Sequence, residues 1–168
     1  MPAIAPDIPE STVFTALRSA LVAVFACEVV KGLSNDVAQP LNDYIAMTPL
    51  SQERLGTNAS LYPVADGAQV TRQERYGADY TVQLDFYGIT SGDRVSAFAN
   101  LFRSDYLFQY GFSPLYTSDP RQLMFKDASQ KMTERWSIDA HLFYMSKISG
   151  LPQQSANLLT SPSFTSVP

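Results

Sequence analysis

The most constraining feature of this chain is a strict alternation from Tyr76 to Tyr87. Tyr76, Ala78, Tyr80, Val82, Leu84 and Phe86 share one face there, and Gln83, Asp85 and Tyr87 share the other. A period of two over that length is a strand, and at about 3.3 Å per residue it spans roughly 40 Å. A compact domain of this size has a radius of gyration near 15 Å, so the strand crosses the whole body and protrudes. A second alternation runs from Met132 to Ile148, with Trp136, Ile138, Ala140, Leu142 and Tyr144 on one side and Arg135, Ser137, Asp139, His141 and Phe143 on the other. Two long half-apolar strands call for a sheet with one buried face, and the rest of the chain has to cover it.

The cover is legible as two helices. Val13, Phe14, Leu17, Leu21, Val24 and Phe25 fall on one helical stripe, with Asp7, Ser11 or Thr12 as the cap. Val95, Phe98, Leu101 and Phe102 form another, opened by Ser91-Gly92-Asp93 and ending near Asp105, with Asp93 placed to favour the helix dipole. Short strands are predicted over Cys27–Lys31 and Tyr44–Met47, the latter ended or forced to an edge by Thr48-Pro49. Ser34–Asn42, Ser51–Leu55 and Tyr106–Tyr116 read as loops, with turns at Gly56–Ala59, Asp66-Gly67 and Asp119-Pro120, the last ahead of Leu123-Met124-Phe125. After Gly150 the chain carries no charge and no period, which predicts an extended arm over 151–168 behind a single domain over 1–150. With too few crossover helices for a doubly wound sheet, the expected class is α+β. It is a mixed, mainly antiparallel sheet with two helices packed on one face, whose opposite face, at Tyr87, His141 and Phe143, is left to meet another subunit.

Chemistry is sparse. The sequence holds no GxGxxG, GxxxxGK, HExxH, CxxC or GxSxG. One cysteine, Cys27, and one histidine, His141, make neither an internal disulfide nor a clustered zinc site, so a reduced compartment, no metal and no cofactor are expected. The one catalytic alternative is a small hydrolase in which Asp139 orients His141 from two positions away on the same strand face. Another alternative comes from Ala20–Ala26, an apolar run that ends next to Cys27 and is similar to a lipoprotein cleavage site. A lipid-anchored envelope domain would then begin at Cys27. The run is far shorter than the ~20 residues of a membrane span, and a buried helix stripe explains it without a membrane.

Twelve Lys and Arg against 16 Asp and Glu give a net charge of −4, which argues against a dedicated nucleic-acid binder. Arg54, Arg72, Arg75, Arg103, Arg121 and Arg135 are interleaved with Glu53, Glu74, Asp79 and Glu134, a pattern of salt bridges between subunits rather than a phosphate track.

Four ordered blocks carry a resemblance. They are Met47-Thr48-Pro49-Leu50 with Arg54-Leu55-Gly56-Thr57-Asn58; Tyr80 to Gly88 (YTVQLDFYG); Pro114 to Leu123 (PLYTSDPRQL); and Glu134-Arg135-Trp136, with Pro152-Gln153-Gln154 as a further echo. Together, from about Val29 to Gln154, the chain resembles the phage neck terminator family of tailed phages and prophages. No hallmark of that family falls in Ala20–Cys27 or beyond Asn157.

The resemblance implies a structural virion protein of the neck, at the head–tail junction. Such a subunit is a tail terminator or gateway protein, generally of a hexameric ring, that caps the tail, joins it to the head connector and leaves a channel for DNA. It implies no catalytic residue. Implied partners are further copies of the chain, the tail tube or sheath protein, and a connector or collar protein, with DNA only in transit and no membrane; assembly is expected in the host cytoplasm. Contact residues are expected in loops and arms on the rigid sheet: Thr48, with Pro49 and Arg54 in the adjoining segment Pro49–Asn58, Asp119, Pro120, Arg121 and Gln122 in the loop Thr117–Gln122, and Leu158, Leu159 and Phe164 in the arm. A turn with an internal ion pair is the other reading of Asp119-Pro120-Arg121.

Overall fold

A computed structural model describes residues 10–32, 40, 43–61, 71–126 and 132–152. In chain order the elements are α1 (Glu10–Phe25), β1 (Glu28–Lys31), β2 (Tyr44–Arg54), β3 (Ala59–Leu61), β4 (Thr71–Tyr87), α2 (Ser91–Phe102), a 3-10 turn (Asp105–Tyr110), β5 (Ser113–Thr117), β6 (Arg121–Lys126) and β7 (Met132–Pro152). The strands form one sheet in the order β1-β2-β4-β7-β5, with β3 beside the start of β4 and β6 beside the start of β7. Only β1 and β2 run parallel; every other pairing is antiparallel. The class is the predicted α+β.

The two long alternations are its central pair. β4 has 17 residues and β7 has 21, and their register runs from Tyr87 opposite Arg135 to Thr71 opposite Pro152. Apolar residues meet row by row on one face: Ile45, Phe86 and Trp136; Met47, Leu84 and Ile138; Val82 and Ala140; Tyr80 and Leu142; Ala78 and Tyr144. The helices close over these rows. α1 contributes Val13, Leu17, Ala20 and Leu21, and α2 contributes Val95, Phe98 and Phe102, all buried. Phe25 meets Phe86 edge-on at 5.7 Å, and Phe98 lies 6.0 Å from Phe86. Arg18 Nε donates to the Val29 carbonyl and ties α1 to the first strand. The buried rows stop at Ala78 and Tyr144, so the ribbon of β3, β4 and β7 beyond them is polar, held by Glu74 between Ser60 and Arg72.

Several local expectations are corrected. β2 does not end at Thr48-Pro49 but runs to Arg54, absorbing the proline in a register shift between Pro49 and Ser51. The edge reading of Pro49 holds, because β1 reaches only to Met47. The Met47 carbonyl accepts from Gly32 N–H on the β1 side, so Pro49, two residues on, turns its donorless nitrogen to the same side, where no strand pairs with it among the described residues, and costs no ladder bond there. Tyr106–Tyr116 is not one loop but the 3-10 turn followed by β5, and Leu123–Phe125 lies inside β6, paired to β7. Ser11 and Thr12 lie within α1 rather than capping it. Asp7, most of Ser34–Asn42 and Asp66-Gly67 fall outside the described residues.

α1 also answers the lipid-anchor alternative. Beginning the chain at Cys27 would strip Val13, Leu17 and Leu21 from the core, each worth about 1.5–3 kcal/mol, against a whole-domain stability of about 5–15 kcal/mol. Cys27 itself is half-buried, and that burial pushes its thiol above the ordinary range, where it is a weak nucleophile. Among the described residues no helix is long and apolar enough to cross a membrane.

Candidate assembly surface

Among the described residues no helix or strand packs on the face of the sheet away from the helices, here called the uncovered face, which is built from the odd-numbered residues of the two long strands. Its rows bring together Tyr44, Tyr87, Arg135 and Leu123; Asp85, Ser137 and Arg121; Thr48, Gln83 and Asp139; Thr81, His141 and Tyr116; Asp79, Phe143 and Ser113. Polar side chains knit it. Arg135 donates to Asp85 Oδ2 at 2.8 Å, and Gln83 Nε2 donates to both Asp85 oxygens at 3.0 and 3.2 Å. Tyr87 stacks on Tyr44 with ring centroids 4.4 Å apart.

The predicted pair of Asp139 and His141 does not form. Asp139 Oδ2 accepts from Arg121 at 2.8 Å, while its backbone is clasped by Ser118, whose hydroxyl accepts from Asp139 N–H and whose N–H donates to Asp139 O. His141 turns instead to the neighbouring strand, its Nδ1 lying 2.9 Å from Asp79 Oδ2 and 3.2 Å from Thr81 Oγ1, with the ring stacked on Tyr116 at 4.1 Å. The hydroxyl sits at the same nitrogen as the carboxylate, so carboxylate and nucleophile do not flank the imidazole as general-base chemistry needs. Among the described residues no group of three or more His, Cys, Asp or Glu is placed to hold a metal.

Most of the arginines expected to pair between subunits are engaged within the chain. Arg72 pairs with Glu74, Arg121 with Asp139 and Arg135 with Asp85, and Arg54 lies over the Tyr76 ring at 4.2 Å. Asp119-Pro120-Arg121 thus does make an internal ion pair, with Asp119, Arg121 and Gln122 still exposed. Thr48, Pro49 and Arg54 lie on β2 and Asp119 to Gln122 beyond β7, so the two predicted contact segments occupy opposite margins of the sheet. Leu158, Leu159 and Phe164 fall outside the described residues.

Sequence reasoning missed two features. Asp79 Oδ1, Asp139 Oδ1, Ser137 Oγ and Arg135 Nε on the uncovered face are buried without a hydrogen-bond partner, which needs the register to be seen. Ile89, 91% exposed, and Met124, 77% exposed, crowd one end of the sheet, where Gly88 N–H donates to the Glu134 carbonyl opposite Met124. Ile89-Thr90 following Gly88 was the available signal: an apolar residue in a turn has no core to enter.

Comparison with curated proteins finds no match. A family model described as phage neck terminator protein matches residues 11–165, taking in α1 and most of the arm as well as the four blocks, a longer span than the motifs alone delimit. A motif-poor sheet with one helix-covered face, matched over nearly its whole length, places this chain in the phage neck terminator family, to which it belongs.

Proposed function

We propose that this chain is the repeating subunit of a ring in the phage neck, a tail terminator or gateway protein that caps the tail, meets the head connector and leaves a DNA channel open. It works through surfaces and has no catalytic centre or cofactor. Its neighbours in the particle are copies of itself, generally six to a ring in related terminators, together with the tail tube or sheath protein and a connector or collar protein. It is assembled in the host cytoplasm and resides in the virion.

One observation carries this reading: a sheet face that no described element covers, flanked on opposite margins by Thr48–Arg54 and Asp119–Gln122. A ring closes by a heterologous contact, in which one patch meets a different patch on the next copy, and patches on opposite margins suit it.

Native mass and electron microscopy of the purified full chain test this. A ring is expected, and Tyr116→Lys, which plants a charge on an exposed residue of the uncovered face, is expected to shift it to monomer while keeping the circular dichroism of the parent. A strict monomer that is also absent from assembled particles would overturn the proposal.

A further inference from the structure

Pairing of β5 with β7 ends at Ser113 opposite Phe143, yet β7 continues to Pro152 with β4 on its other side. From Tyr144 onward the β5 margin of β7 carries no strand among the described residues. The Asp139 carbonyl accepts from Ser118 on that margin, so Met145, which follows at even spacing, directs its backbone groups the same way, just past the end of β5. Beside it lies a groove of about 230 Å³, lined by Val13 at the start of α1, by Phe112 and Ser113, and by Phe143, Tyr144 and Met145. The lining is mainly apolar. Its volume is below the ~300–1,000 Å³ of ordinary small-molecule sites, and suits one or two apolar side chains.

A strand margin next to an apolar groove is the geometry that accepts an added strand, with backbone bonds supplying affinity and alternate side chains entering the groove. The β2 margin is blunted by Pro49, by its register shift and by Glu53 and Arg54. From Tyr144 to Ile148 the β7 margin has no proline, and its register with β4 is unbroken.

The chain itself supplies a segment of matching chemistry. Residues 153–168 hold no charge, with Leu158 and Leu159 between Pro152 and Pro162, and with Phe164 beyond. Fully extended they reach about 50 Å from Pro152. Returning along its own β7 would need a longer loop through Gln153–Asn157, since Gln153-Gln154-Ser155 offers neither Gly nor Asn for a two-residue turn after Pro152. We infer that residues 153–168 of one copy add as a strand to the β7 margin of a neighbouring copy at Met145 and set an apolar side chain from Leu158, Leu159 or Phe164 into the groove beside Val13 and Phe112. This rests on the ring reading, since it requires a neighbour.

The test uses the full chain with Cys27→Ser and Met145→Cys, paired in turn with Leu158→Cys, Leu159→Cys and Phe164→Cys, under mild oxidation. At least one pairing is expected to give a ladder of disulfide-linked copies. A link confined to one chain would put the arm on its own subunit and overturn the inference. The absence of any link in a chain that still forms rings would also overturn it, and would leave the ring reading standing; a strict monomer would remove both. Independently, the full chain with Leu158→Ser, Leu159→Ser and Phe164→Ser is expected to assemble roughly tenfold more weakly or worse, and unchanged assembly counts against the arm.

Discussion

Tyr87 is where burial and charge meet on the uncovered face. Burial pushes its phenol up from 10.0 to about 12; the Arg135 guanidinium opposes this, and the Asp85 charge adds to it. Because the folded pKa is the higher one, the unfolded chain loses this proton first as pH rises. The stabilising contribution is therefore complete below pH 10 and is lost as pH passes through about 12. Tyr87→Phe is expected to flatten the fall in stability over that window, and to delete a tyrosinate that appears near pH 12 in an ultraviolet titration. A lost tyrosinate titrating near pH 10 would show the ring to be solvated. Ala26 carries strain of another kind: it closes α1 at φ +48, a left-handed position that glycine fills without cost. Ala26→Gly is expected to stabilise by about 0.5–1 kcal/mol, net of the entropy glycine adds to the unfolded chain, and calorimetry reads this as a rise of a few degrees. Asp139 and His141 mark the limit of residue-scale reading. Their shared strand face was legible, but the partner each chooses lies in the sequence-distant Asp79 and Arg121, and only the register of β4 and β6 against β7 decides that.

Elements were legible where the period was long and opaque where it was short. β4, β7 and both helices follow directly from apolar spacing, since each buries one face over many residues. β2 beyond Met47 is hidden in the sequence because Ser51, Gln52, Glu53 and Arg54 alternate with nothing apolar, and in the fold all four are exposed. Pairing to β4 alone makes them strand, and an edge strand needs no apolar face. β5 was hidden by Pro114 and by a register shift between Pro114 and Tyr116. Pro49 has a testable consequence at this scale. Its nitrogen faces the open margin, so Pro49→Thr is expected to change stability by less than about 1 kcal/mol while restoring a donor to a bare edge. The variant should fold yet aggregate faster in light scattering at matched concentration; a large loss of stability would mean that the proline sets the shape of β2 rather than guarding it. Leu17→Ala asks the matching question of α1. Leu17 has no solvent exposure, so a loss of about 3 kcal/mol in denaturant unfolding is expected, and a negligible loss would mean that α1 is not part of the core.

In the proposed ring, the whole molecule would let a polyanion pass without holding it. Its formal charge is −4, and on the uncovered face Arg135 is committed to Asp85 and Arg121 to Asp139, while His141 faces Asp79 and Arg75 donates to Gln73. Retention of duplex DNA draws on lysines and arginines free to displace counterions from phosphate, and each such contact steepens the salt dependence. A surface on which Arg135 and Arg121 are held by carboxylates offers few, whichever way it turns in a ring. The purified chain is therefore expected to leave duplex DNA unshifted in electrophoresis even at low salt, where electrostatic binding is strongest. Binding that weakens steeply as salt is added would show an uncompensated basic track in the assembled form, and the idea of a conduit neutral toward its cargo would fall.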